Sequence, residues 1–128
     1  MDINTHKRIE RSLCGTPLEV KEGFSRIELL LTENMTADES GLIHGGFVFG
    51  LADYAAMTAV NHPNVVLGSA DVKFLKPLKK GDTVVAEAKV ENIAGRKQIV
   101  RVTVGNKETI VFEGTFACFV LDKHVLSA

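Results

Sequence analysis

Tryptophan is absent from this 128-residue chain, and tyrosine occurs once, proline three times and cysteine twice. With no export signal in view, Cys14 and Cys118 predict free thiols in a reducing cytoplasm, a single disulfide between them being the alternative. An excess of basic charge is also missing. Fifteen Lys and Arg against sixteen Asp and Glu leave a net charge of −1, which excludes a dedicated nucleic-acid binder with its basic footprint. The opening residues lack an apolar run, because Met1 to Ser12 carries Asp2, Lys7, Arg8, Glu10 and Arg11. No signal peptide is therefore expected. Repeats and low-complexity segments are lacking too. One long apolar run does exist, GLIHGGFVFGLADYAAMTAV over 41–60. A central Asp costs roughly 2.5–3.5 kcal/mol in a bilayer, and glycines and a histidine dilute the rest, so no membrane span is expected. The remaining composition, 45% hydrophobic and 24% charged, is that of one globular domain, 1–128.

Periodicity divides that domain. Residues 4–12 (NTHKRIERS) predict a short polar helix, within a helical extension over 1–14. From Phe24 to Glu33, Ile27, Leu29 and Leu31 alternate with Arg26, Glu28 and Thr32, a half-buried strand. The apolar run predicts a helix ending near His62-Pro63, since the residue before proline disfavours α geometry. Beyond Pro63 the period is 2. Val66, Gly68, Ala70, Val72 and Phe74 are assigned one face of a strand, with Ser69, Asp71 and Lys73 on the other. Val84, Ala86, Ala88 and Val90 mark the next strand, and Val100, Val102 and Val104 the one after. Turns are read at 93–96 and 105–107. Ile110, Phe112, Phe116, Cys118 and Val120 line a long final strand. The order predicts an α+β fold, and a helix apolar all round must be covered all round. One curved sheet covers one side, so a second copy is expected on the other.

The helix holds two chemical features. His44-Gly45-Gly46 stands at its start, where unpaired amides and a partial positive charge attract anions or a developing oxyanion. The same residues also read as a Gly-Gly hinge and a hydrogen-bonded structural histidine. Asp53 is the other feature. A carboxylate among apolar residues is costly to bury. It reads as a base or nucleophile with a raised pKa, as a structural Asp paired with a lysine or backbone amide, or as the helix's exposed edge. Gly45 and Asp53 lie about 12 Å apart along the axis at 1.5 Å per residue. A carbonyl held within about 3 Å of the Gly45 N–H is out of reach of Asp53 on the same helix. If both serve one reaction, they come from two chains related by a two-fold axis.

These residues resemble the hotdog-fold acyl-CoA thioesterases, in particular the phenylacetic-acid-degradation branch. The likeness runs through His44-Gly45-Gly46, Leu51-Ala52-Asp53, Gly68-Ser69-Ala70-Asp71, Phe74-Leu75-Lys76-Pro77, Gly81-Asp82-Thr83-Val84 and Gly95-Arg96, over about residues 15–121. It implies a five- or six-stranded antiparallel sheet wrapped around one long helix, a homodimer and often a homotetramer, and hydrolysis of an acyl-CoA without metal or cofactor. On that pattern the Gly45 amide polarises the thioester carbonyl. Asp53 of the partner subunit activates water or attacks directly, His44 holds the oxyanion region or the leaving thiol, and Ser69 orients the water. Where several relatives carry an Asn six residues before the histidine, this chain has Asp38, which when ionised cannot donate. The reading favoured for it is a turn residue in ADES.

A coenzyme A substrate calls for cations at the site mouth. Lys73, Lys76, Lys79 and Lys80, or Arg96 and Lys97 at a hairpin tip, meet that need, and a lysine-rich edge that blocks wrong strand pairing is the alternative. Phe47, Phe49, Tyr54 and Met57 are the residues expected around the acyl group, and Gly46 is expected to let the substrate approach the backbone. Two other functions share the fold: a non-catalytic acyl-CoA sensor, and a 3-hydroxyacyl thioester dehydratase, for which no acid–base pair is apparent.

Overall fold

The computed structural model describes residues 1–107 and 109–127. Helix α1 (Arg11–Cys14) leads into strands β1 (Thr16–Lys21) and β2 (Phe24–Leu30), and a 3-10 turn follows at Glu33–Met35. Then come helix α2 (Gly45–Val60) and strands β3 (Val65–Phe74), β4 (Thr83–Ala94), β5 (Lys97–Asn106) and β6 (Thr109–Val120). All six strands form one sheet in the order β1-β2-β4-β5-β6-β3, every neighbouring pair antiparallel. The sheet wraps around α2, which packs chiefly over β4, β2 and β5. This is the α+β hotdog architecture.

The strands form where polar and apolar residues alternate, because period 2 places one set on α2 and the other in water. Val84, Ala86 and Ala88 on β4 and Val100, Val102 and Val104 on β5 have no exposed surface. Alanines on β4 meet Ala52, Ala55, Ala56 and Ala59 of α2, all buried, so helix and sheet approach closely. Ser25 ties them together: its buried hydroxyl donates to the Ala55 carbonyl at 2.6 Å.

The helix ends where the His62-Pro63 pair predicts. Asn61 takes left-handed geometry at φ 53°, and its N–H closes on the Met57 carbonyl, a conformation asparagine tolerates better than most residues. Asn61 also anchors the amino terminus, accepting from the Asn4 N–H at 2.6 Å and donating to the Asp2 carbonyl at 2.8 Å. That anchoring corrects the helix expected over 4–12. Residues before Arg11 form no helix: His6 is left-handed at φ 52° and a turn at Lys7-Arg8 is closed by the Ile9 N–H on the His6 carbonyl, and only Arg11–Cys14 is helical.

Two bulges correct the face assignments. In β3 the register slips between Leu67 and Ser69, so Leu67 stands opposite buried Cys118 while Val66 stands opposite Phe119. Leu67, not Val66, shares the inner face with Ala70, Val72 and Phe74. Gly68 is required at the slip, because a Cβ there would lie 2.3 Å from the Phe119 ring. At the start of β6 a slip beside Gly105 turns Ile110 outward, 45% exposed, and buries Val111.

The sheet does not cover the whole helix. Gly46 is exposed, and Phe49, Gly50, Asp53 and Val60 are half-buried. At 3.6 residues per turn these five share one side. Strand β3 is a sheet edge with a largely exposed run from Gly68 to Asp71.

Candidate active site

The loop before α2 is fixed by backbone bonds. The Ile43 N–H donates to the Leu78 carbonyl and the His44 N–H to that of Met35, each at 2.9 Å. Asp38 braces the preceding turn, accepting from the Ser40 N–H at 2.9 Å and the Ser40 hydroxyl at 2.6 Å. The Ser40 hydroxyl, more than any other contact, holds its carboxyl below the usual range. Asp38 is therefore the turn residue of the two readings given for it.

His44 caps α2 with extended backbone and makes no side-chain cap bond. Its exposed ring packs edge-on against Phe47, centroids 6.2 Å apart. The amides of Gly45 and Gly46 stand in the first turn, where no intrahelical acceptor exists. Both glycines are closely approached by side chains. A Cβ at Gly46 would lie 3.0 Å from the His44 imidazole, and one at Gly45 would lie 3.1 Å from the Phe74 ring.

Beside Gly45 lies a cavity of about 310 Å³. Buried Ile43, Val48, Leu78 and Val111 line its inner part, and exposed Phe74, Leu75, Lys76 and Pro77 line its mouth. Lys76 is the lone lining side chain with a hydrogen-bonding group. It pairs with no acid among the described residues.

Asp53 lies on the uncovered side of α2, two turns beyond Gly45. Its Oδ1 is buried and has no hydrogen-bond partner. Desolvation raises the carboxyl from 3.8 to about 6. Among the described residues neither a lysine nor a backbone amide donates to it, so within this chain the carboxylate is unpaired. Its field adds to desolvation at two thiols the sequence does not connect with it. Cys118 is pushed up to about 12 and Cys14 is raised as well. The two cysteines are free.

The other expected site residues are scattered. Tyr54 is 1% exposed and sits in the core beside His6, away from the surface its assignment as a substrate contact expects. Met57 is equally buried. Phe47 and Phe49 are half-buried, Phe49 lying against Phe116 with centroids 5.6 Å apart. Ser69 is exposed on β3 opposite Ala117, and no hydrogen bond joins it to Asp53 within the chain. Arg96 stands at the β4–β5 turn, paired with Asp122, beside Asn61 and His62 at the far end of α2 from Gly45. Among the described residues no cluster of His, Cys, Asp and Glu could hold a metal ion, and no helix is long and apolar enough to cross a membrane. The sequence does not assign Phe74, Pro77 and Val111 to a pocket. The signal for the first two is the F-L-x-P element, a strand end beside a glycine-led helix.

The sequence profile described as the thioesterase superfamily matches residues 40–113, from the turn before His44 to β6. This chain belongs to the thioesterase superfamily. Solved members show how closely the fold is kept. A Pyrococcus horikoshii protein titled uncharacterized protein PH1136 is 54% identical, with a TM-score of 0.98 over 99% of this chain and 98% of that one. The Thermus thermophilus phenylacetic acid degradation protein PaaI, solved in a mutant form, is 28% identical, with a TM-score of 0.80 over 87% of this chain and 96% of that one. Curated relatives are longer and carry other names. An Aquifex aeolicus protein named methylthioribose-1-phosphate isomerase is 50% identical over 95% of this chain but 27% of its own length. The transcription factor FapR of Caldanaerobacter subterraneus is 32% identical over 83% of this chain and 52% of its own length. This thioesterase-superfamily chain thus spans about a quarter to a half of the length of these two relatives.

Proposed function

We propose that this chain hydrolyses an acyl- or aryl-CoA thioester to the free acid and coenzyme A, in sites shared between paired subunits. The observation that carries the proposal is Asp53: a buried carboxylate oxygen without a donor, on the one side of α2 that its own chain leaves open. The glycine amides at the start of the same helix lie about 12 Å away. An antiparallel pair of helices sets the Gly45 end of one beside Asp53 of the other, and a two-fold axis makes two such sites.

The Gly45 N–H polarises the thioester carbonyl and holds the oxyanion as it forms. Asp53 of the partner subunit takes a proton from water while the water oxygen bonds to the carbonyl carbon. The C–S bond then breaks, and the thiolate recovers the proton from the Asp53 carboxyl. A base with a pKa of about 6 is ionised at neutral pH yet basic enough for this exchange. His44 and Gly46 border the oxyanion region, with Phe47 packed on His44. Ser69 is proposed to meet the attacking water across the subunit boundary. Lys76 and Arg96 are the proposed phosphate contacts, Arg96 exchanging Asp122 for the ligand. No metal or cofactor enters the reaction. A homodimer is the working unit, a tetramer being a pair of dimers, and the cytoplasm is the proposed compartment.

Thiol release from short, medium, branched and aromatic acyl-CoAs tests the activity, and complementation tests the shared site. Gly45→Pro and Asp53→Asn chains, each inactive alone, should regain part of the activity as mixed dimers. Demonstrated heterodimers without recovery would overturn the shared arrangement. The similarity to FapR, a transcription factor by name, favours a second reading, an acyl-CoA sensor. Calorimetric binding of acyl-CoA with no thiol released would establish that reading instead.

A further inference from the structure

The sequence places the acyl group among Phe47, Phe49, Tyr54 and Met57, but Tyr54 and Met57 are packed in the core, each 1% exposed. The space available next to the Gly45 amide is the cavity on its other side. Its inner walls are Ile43, Val48, Leu78 and Val111, all buried. Apart from Lys76, no lining side chain offers a hydrogen bond. A pantetheine arm, with two amides and a hydroxyl, would lose water there without side-chain partners, at substantial cost. An aliphatic or aryl group loses nothing of that kind and gains from burial. Lys76 does not oppose this, because its stem lines the mouth while its exposed ammonium stays in solvent.

Phe74 lines this cavity together with Gly45, the proposed oxyanion donor. It is the last residue of β3, opposite Phe112, and its ring meets the Phe112 ring edge-on with centroids 5.1 Å apart. The same ring reaches to 3.1 Å from where a Gly45 Cβ would stand, closer than an ordinary side-chain contact. Beyond Phe74 the chain turns away: the Leu75 and Lys76 amides both point to the Val111 carbonyl, at 2.8 and 3.3 Å. The ring remains 56% exposed, so packing within the chain does not account for an aromatic residue at this point.

Resting on the thioesterase reading, we infer that the cavity between Gly45 and Val111 receives the acyl group and that Phe74 sets the largest group accepted. At roughly 30 Å³ per atom-sized group, a volume of about 310 Å³ holds on the order of ten non-hydrogen atoms. That matches a medium straight chain or a phenyl-bearing acyl group, whereas a long fatty chain would project past Phe74 through the mouth.

The test compares wild type and Phe74→Ala across straight-chain acyl-CoAs from four to sixteen carbons, reading kcat/KM by thiol release. Each methylene newly buried is worth roughly fourfold. Phe74→Ala should therefore move the optimum to longer chains, with a gain of at least about tenfold for those the wild type handles poorly. Phe74→Trp should shorten it. Affinity is read separately on the Asp53→Asn background by calorimetry, with octanoyl-CoA, hexadecanoyl-CoA and free coenzyme A. The expected result is an unchanged affinity for free coenzyme A and a chain-length preference that follows residue 74. An equal change for every ligand, free coenzyme A included, would place the pantetheine arm in the cavity and overturn the inference. Absence of thiol release from wild type would refute the hydrolase instead, and the binding series would still decide what the cavity holds.

Discussion

Replacing Asp53 by Asn removes an ionisation that the fold resists, and the structure sets its size. Desolvation raises the carboxyl from 3.8 to about 6, with no donor on Oδ1 to offset it. A raised carboxyl contributes stability below its unfolded pKa and loses it as pH rises through the folded one. At about 1.4 kcal/mol per tenfold change in proton affinity, the ionised group costs about 3 kcal/mol at pH 7.5. Near pH 4 the cost falls well below that, to under about 1 kcal/mol. Between those two pH values the wild type should lose about 2–3 kcal/mol more stability than Asp53→Asn, or roughly 10 °C in Tm for a chain of this size. Urea unfolding of both proteins across the pH range measures the difference and cancels the fixed cost of the amide. Activity should run the opposite way: wild-type kcat/KM should fall below an apparent pKa of about 6, and Asp53→Asn should lose at least about 100-fold. Parallel stability curves would show that Asp53 titrates normally in the folded protein, and the base assignment would go with them.

Two further substitutions probe the packing. Gly68→Ala drives a Cβ to within 2.3 Å of the Phe119 ring and should cost about 1–3 kcal/mol as the bulge repacks, read as a lower urea midpoint at unchanged slope. Ser25→Ala leaves the Ala55 carbonyl without its 2.6 Å donor and should cost about 1–2 kcal/mol. A neutral result there would mean that water replaces the hydroxyl.

The strands from β2 to β6 are legible because each buries one face, which writes alternation into the sequence. Alternation fails at a bulge, where one added residue moves the neighbouring positions to the other face. For that reason the periodicity puts Val66 inside in error and misses Leu67. Gly68 is visible, but its reason, the Phe119 ring, lies on a strand some fifty residues later. The amino-terminal segment is misread because NTHKRIERS is locally helical in character, while Asn61 ties Asp2 and Asn4 to the end of α2 through contacts no local pattern shows. Asp53 stands out because a charge in an apolar helix is conspicuous. The cavity does not, because its walls come from the loop before α2, the β3–β4 connection and β6, and a pocket between such separate elements leaves no periodic mark.

The company Asp53 keeps has a practical side. Thiolates, not thiols, attack disulfides and alkylating agents, and Cys118 is pushed up to about 12 while Cys14 is raised beside the same acid. Buried Cys118 should stay silent toward the chromogenic disulfide reagents that report liberated coenzyme A, and a substrate-free blank separates any reaction of half-buried Cys14 from product. Sudden labelling of both sulfurs would then serve as a built-in alarm that the sheet has opened.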